Sequence, residues 1–310
     1  MKRILSVTVC LLFAGFLFFG CSNGSASSGS GQNSGVSQSD PVKDAANAYF
    51  ADMDASQYMI TPSELFAKID SGDDLFLLDI RPQKLYQDPA VGLGHLKGAL
   101  NLPFGMDIAQ NIQVLPTDKV IVIYDDVGNT AAQLTALLSV CGYNCCFVQS
   151  GYVGISNAEG YEKYVDNAAV ALPSQTYTVD QPTQTALDSY FNGMLAMDGT
   201  DFEGYSVTPT YLKSLIDVSD GSYYLLSVQS ASSFAQGHIA TAVNIPFATG
   251  MQQSFANIPM DKTIIVYCYW GDKSYEVMTI LRLLGYNAYA LFGGSGGTGW
   301  ENMGYPLVTN

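Results

Sequence analysis

The 310-residue chain is poor in charge, and poorest in positive charge. Charged residues make up 13% of it, and 28 acidic against 13 basic residues leave a formal net charge of −15. A nucleic-acid interface needs a basic footprint, so this balance excludes nucleic acid as a partner. Beyond residue 181 the only cations are Lys213, Lys262, Lys273 and Arg282. There are two histidines, His95 and His238, and no C-x-x-C pair, so no metal site is expected. No cofactor is expected either. What the chain does have is 48% hydrophobic residues, enough for well-packed globular domains.

It also has itself twice. Asp79-Ile80-Arg81 is followed by Gly94-His95-Leu96-Lys97-Gly98-Ala99-Leu100-Asn101-Leu102-Pro103-Phe104. Ser227-Val228-Gln229 is followed by Gly237-His238-Ile239-Ala240-Thr241-Ala242-Val243-Asn244-Ile245-Pro246-Phe247. From His95 to His238 the offset is 143, and Asn101/Asn244, Asp118/Asp261 and Gly142-Tyr143-Asn144/Gly285-Tyr286-Asn287 keep it. Upstream, Thr61-Pro62 and Thr208-Pro209 are 147 apart, the difference being an insertion around Gln87 to Gly92. Collinear matches of this length identify two copies of one domain, each roughly 120 to 130 residues.

Each copy reads alike. A Thr-Pro start opens a short helix. A strand follows (Phe76–Asp79, Tyr223–Ser227), then the Gly-His segment and a short strand ending at Asn101 or Asn244. Next come an apolar strand (Val120–Tyr124, Thr263–Tyr267), a loop, a helix, and a strand ending in Ser150-Gly151 or Gly293-Gly294. Strands alternating with helices predict an α/β fold: in each copy a central, mainly parallel sheet flanked by helices.

Cys268 stands where the second apolar strand ends, with Tyr269, Trp270, Gly271, Asp272, Lys273 and Ser274 leading into the helix. Open α/β sheets bind ligands at the carboxyl ends of their strands. Unpaired N–H groups and the dipole at a helix N-terminus favour an anion. A thiol there is expected to have a lowered pKa and to be nucleophilic. The alternative is a cysteine simply buried at a strand end. At the same register the first copy has Asp125, so at most one copy can do cysteine chemistry here. Cys141, Cys145 and Cys146 fall where the second copy has Leu284, Ala288 and Tyr289, and read as small packing residues.

The N-terminus resembles a bacterial lipoprotein signal. Lys2 and Arg3 precede an apolar stretch, Ile4 to Phe19, and Gly20-Cys21 precedes a Ser/Gly/Asn/Gln-rich run. The resemblance implies that Cys21 is lipidated and tethers the chain to the membrane outside the cytoplasm, at the cell surface or in the periplasm. An ordinary signal peptide or an uncleaved anchor is the alternative. The chain then divides into a signal with its lipobox (1–21), a flexible linker (22–47), a first domain (48–165), an interdomain linker (166–189) and a second domain (190–310).

The two copies resemble the rhodanese family in tandem. The resemblance rests on Asp79-Ile80-Arg81, on Gly94-His95-x-x-Gly98-Ala99-x-Asn101-x-Pro103, and on Cys268-x-x-Gly271-x-Lys273-Ser274. Gly285-Tyr286-Asn287, Gly293-Gly294 and the closing Gly299-Trp300 with Gly304-Tyr305-Pro306 complete it. It implies that Cys268 carries sulfur as a persulfide. The activity it implies takes sulfane sulfur from thiosulfate or a related donor to a thiol or cyanide acceptor. N–H groups from Tyr269 to Ser274 would then cradle the sulfur, with Lys273 adding charge and the Ser274 hydroxyl a hydrogen bond. Tyr269 and Trp270 would shape the entrance. Two departures stand out. The second copy has Ser227-Val228-Gln229 where the family has Asp-x-Arg, and Lys273 stands where arginine is common.

Two other functions fit the pattern less fully. A phosphatase or arsenate-type reductase of related fold would need an arginine after five intervening residues, and here four separate Cys268 from Lys273. A non-catalytic binding or sulfide-sensing module would leave Cys268 vestigial.

Overall fold

The structure, a computed structural model, describes residues 40–51, 53, 58–87, 94–296 and 298–309. The signal-like segment with Cys21 and most of the insertion around Gln87 to Gly92 lie outside the described residues. The first domain runs α1 (Pro41–Ala48), β1 (Met59–Ile60), α2 (Pro62–Ser71), β2 (Leu75–Asp79), α3 (Gln83–Gln87), β3 (His95–Leu96), β4 (Leu100–Asn101), α4 (Met106–Gln110), β5 (Val120–Tyr124), α5 (Asn129–Val140), β6 (Cys145–Val148), α6 (Gly151–Asn157) and β7 (Val165–Asp166). The second runs α7 (Gln181–Leu195), β8 (Ser206–Val207), α8 (Pro209–Asp217), β9 (Tyr223–Ser227), α9 (Ala231–Gln236), β10 (Val243–Asn244), β11 (Thr263–Tyr267), α10 (Asp272–Leu283) and β12 (Ala288–Leu291).

The order β1-β6-β5-β2-β4 in the first sheet is matched by β8-β12-β11-β9-β10 in the second, with every pair parallel. Register repeats too: Asp79 pairs with Tyr124 and Ser227 with Tyr267. The central strands β5 and β11 are buried along all but their first residue, as continuous apolar runs in a sheet covered on both faces must be. Thr61 closes a full capping box with Glu64 at the start of α2, and Thr208 caps α8 through the backbone N–H of Tyr211. The stretch 166–189 has more order than its composition suggests. It contains the start of α7, and the Tyr177 N–H donates to the Gln113 carbonyl at 2.7 Å.

A second repeat, outside the sheets, explains how the domains join. Tyr49-Phe50-x-x-Met53 at the end of α1 matches Tyr190-Phe191-x-x-Met194 in α7. Each of these leading helices docks on the other domain. Phe50 meets Phe247 edge-to-face at 5.8 Å, and Phe191 meets Phe104 in the same way at 5.5 Å. Both phenylalanines are fully buried, which contributes about 2–3 kcal/mol each. Between them α5 packs on α10, the most extensive helix–helix contact among the described residues. One apolar cluster therefore runs through both sheets, while a smaller one fills the outer face of the first sheet.

That interface holds an unusual carboxyl. Glu276 on α10 is buried and accepts from the Tyr49 hydroxyl at 2.9 Å, and the equivalent Gln133 on α5 donates to the Tyr190 hydroxyl at 2.8 Å. Burial pushes Glu276 up to about 8; the Tyr49 hydrogen bond opposes this and Asp272 adds to it. A carboxyl that binds its proton more tightly when folded stabilises fully below its ordinary pKa, and loses that stabilisation as pH rises to the folded value. The stability of the native chain relative to Glu276→Gln should therefore fall between pH 5 and 8, by about 1.4 kcal/mol per unit at most, and level off above. Thermal or urea unfolding of both chains at several pH values checks this. A pH-independent difference would show that the carboxyl ionises as freely in the fold as in water.

Candidate active site

The second central strand delivers Cys268 directly. β11 ends at Tyr267, and α10 begins at Asp272. The turn between them is closed by Gly271 at φ 116°, a value L-residues rarely adopt. The turn after β12 braces the loop from behind: the Ser295 N–H donates to the Cys268 carbonyl at 2.8 Å, and that of Gly296 to the Tyr269 carbonyl at 2.9 Å. Gly294, at φ 63°, lies so close that a Cβ would stand 2.6 Å from the Cys268 carbonyl oxygen. Gly151 has the same relation to the Asp125 carbonyl in the first domain, so the paired glycines of the motif are spacers for the loop.

The sulfur is 3% exposed with its residue and sits in a partial nest. The Gly271 N–H donates to Sγ at 3.0 Å. The thiol points at Asp272 Oδ1 (3.5 Å) and lies 3.9 Å from Ser274 Oγ. The sequence predicts a lowered thiol pKa here, and the structure reverses it. Burial, and after it the Asp272 carboxylate, push the thiol up to about 12, against the pull of the Gly271 and Ser274 N–H groups. The helix N-terminus is where the sequence places it. Desolvation and one like charge outweigh it.

The other loop residues divide between interior and rim. The Ser274 hydroxyl is buried and donates to the Gly271 carbonyl at 2.6 Å, holding the turn rather than donating to the sulfur. Lys273 is exposed, and its ammonium stands 5.4 Å from the Phe247 ring centre, a cation–π contact. Tyr269 and Trp270 are 44% and 60% exposed and meet edge-to-face at 4.7 Å, on the rim of a cavity of about 360 Å³ that Cys268 also lines. The two histidines are structural. His95 lies against the Tyr86 ring, and His238 against that of Phe234, each with Nδ1 on the carbonyl of the residue it stacks on (3.0 and 2.9 Å).

In the first domain Asp125 answers the same loop geometry with its own charge. Its carboxylate accepts from the N–H of Gly128, and from both the N–H and the hydroxyl of Thr130. A side-chain anion thus fills the nest. Beneath it Arg81 and Asp79 form a buried ion pair with Nη2–Oδ2 at 2.6 Å. Arg81 also donates to the Gly94 carbonyl at 2.8 Å and lies over the Tyr152 ring at 3.8 Å. The second domain keeps this geometry without charge: Ser227 Oγ donates to Gln229 Oε1 at 3.1 Å.

The residues that the sequence did not point to come from across the interface. Met59 and Gln149 of the first domain line the Cys268 cavity, while Tyr275 and Phe292 of the second line the corresponding cavity beside Asp125. Gln149 and Phe292 keep the 143-residue offset, so each domain lends its partner the same strand-end position. Gln229, Ser230, Ser233 and Phe247 complete the walls at Cys268. The repeat singles out Gln229 and Phe247 by register but does not place them at the cysteine, because these residues meet only when β9, α9 and the loop after β10 converge.

The model of the rhodanese-like domain matches residues 61–158 and 208–300, together more than half of the chain. A sulfurtransferase of Allochromatium vinosum is 29% identical over 84 residues, covering 27% of this chain and 77% of that protein. Among solved structures, a rhodanese-related protein of Thermoplasma volcanium is 28% identical with a TM-score of 0.31, covering 34% of this chain and 98% of that one. A 3-mercaptopyruvate sulfotransferase of Escherichia coli is 17% identical with a TM-score of 0.35, covering 77% and 98%.

Gly271 also faces the other domain, since a Cβ there would stand 2.7 Å from Asn129 Oδ1. Gly271→Ala should destabilise the chain by about 2 kcal/mol through strain and this clash. Adding Asn129→Ala should restore part of that loss, leaving the strain. Urea unfolding of the two single variants and the double variant measures both parts; a fully additive cycle would show that the loops do not touch.

Proposed function

Since the chain belongs to the rhodanese-like domain family, we propose that it is a sulfurtransferase in which Cys268 carries the transferred sulfur as a persulfide. One observation carries the reading. The thiol lies at a strand end, 3.0 Å from the Gly271 N–H, and lines a cavity of about 360 Å³ with room for a donor. Sulfur transfer asks for a nucleophilic sulfur that can then hold a second one beside hydrogen-bond donors. The donor is thiosulfate or a related sulfane compound, and the acceptor a thiol or cyanide. Asp125, with its carboxylate held by its own loop, has no part in the chemistry, and the first domain serves the site by lending Met59 and Gln149.

Cys268 should gain one sulfur atom by mass when the chain meets a sulfane donor, and cyanide should then release thiocyanate. Cys268→Ala should show neither. A chain that gains no sulfur from any donor would favour a second reading, a binding or sulfide-sensing module, which the raised thiol pKa supports.

We propose further that the chain is tethered outside the cytoplasm through lipidated Cys21, on the strength of the N-terminal pattern. The native protein should partition into detergent, and Cys21→Ala should appear in the aqueous phase as an unlipidated chain. Equal partitioning of the two would count against the tether.

A further inference from the structure

We propose that Asp272 sets the donor preference of this site, disfavouring anionic donors such as thiosulfate and favouring organic persulfides of zero or positive net charge. The proposal deepens the sulfurtransferase reading and rests on Cys268 as the sulfur carrier.

Geometry makes the case. Asp272 Oδ1 is 3.5 Å from the Cys268 sulfur. A donor must bring its outer sulfur to bonding distance of that atom, so whatever charge it carries arrives within a few ångströms of the carboxylate. Among the described residues no lysine or arginine forms an ion pair with Asp272. Lys273, the only cationic residue lining the cavity among the described residues, holds its ammonium 5.4 Å from the Phe247 ring centre. The buried arginine of the first domain, Arg81, is replaced by Gln229, whose amide oxygen is engaged by Ser227. Ser230 and Ser233 add only neutral hydroxyls to the wall.

The chain contains its own contrast. At the register of Asp272 the first domain has the neutral Asn129, and at that of Gln229 it has the cationic Arg81. At these two registers the cysteine domain has a negative charge in place of a neutral residue and a neutral residue in place of a cation, while Lys273 stands where the first domain has Thr130 and Ser227 where it has Asp79. In the transfer the S–H bond of Cys268 breaks. The sulfur attacks the outer sulfur of the donor, whose own S–S bond breaks, and the departing thiolate takes the proton. Cys268–SH and R–S–SH become Cys268–S–SH and R–SH, with no external oxidant or reductant.

The test compares cysteamine persulfide, whose amine is cationic, with thiosulfate, a dianion. It reads kcat/KM for transfer to a common thiol acceptor and sulfur on Cys268 by mass. The native chain should prefer cysteamine persulfide by at least about tenfold, as one like charge at this range implies. Asp272→Asn should shrink that preference mainly by improving thiosulfate. Gln229→Arg, which restores the cation without touching the loop, should shift it in the same direction. Equal use of both donors by the native chain, or a preference unmoved in both variants, would overturn the proposal while leaving the sulfurtransferase reading intact. No sulfur on Cys268 from either donor would overturn both.

Discussion

The packing of α5 on α10 is the contact on which the rest of this molecule depends. These two helices follow the equivalent loops of the two domains, so bringing them together brings the loops together, until Gly271 of one lies against Asn129 of the other. The exchange of leading helices reinforces the contact, because Phe50 and Phe191 each fill the partner domain's core. Neither domain finishes its own interior or its own cavity. The two copies of the domain form in this way one compact unit.

The two sites show how one loop geometry accommodates a carboxylate in one domain and a protonated thiol in the other. Strand end, turn and helix start present N–H groups to whatever side chain follows the strand. Asp125 satisfies them with a carboxylate, which locks the loop and leaves it without a nucleophile. Cys268 offers a sulfur that holds its proton, because burial removes water and Asp272 adds a like charge. A thiol in such surroundings is quiet at rest.

Charge is scarce in this chain, which makes its placement informative. The ion pair of Asp79 and Arg81 is buried in the domain without the cysteine, and a neutral serine–glutamine pair takes its place in the other. The backbone barely registers the exchange, since the Asn101 and Asn244 amides make the same two hydrogen bonds in both domains. An ion pair replaced by a neutral pair of similar shape costs little when every group stays hydrogen-bonded. What changes is the field felt by a ligand.

The sequence alone determined the duplication, the strands β5, β9 and β11 to the residue, the capped starts of α2 and α8, and the turn after Cys268, although α10 begins at Asp272, inside the segment read as loop. These follow from local rules: apolar runs for strands in a covered sheet, Thr-Pro for helix starts, glycine where φ is positive. It also pointed to the Asp125 and Gln229 departures by register. The Tyr49-Phe50 and Tyr190-Phe191 repeat was present in the sequence, but its meaning was not, because a helix pattern does not say which domain it will cover. Only the tertiary structure decided that Met59 and Gln149 wall the cysteine's cavity, that Glu276 lies buried against Tyr49, and that the thiol pKa rises instead of falling. The physical reason is common to all three. Desolvation and charge proximity are properties of residues far apart in the chain, and they exist only once the two domains have closed on each other.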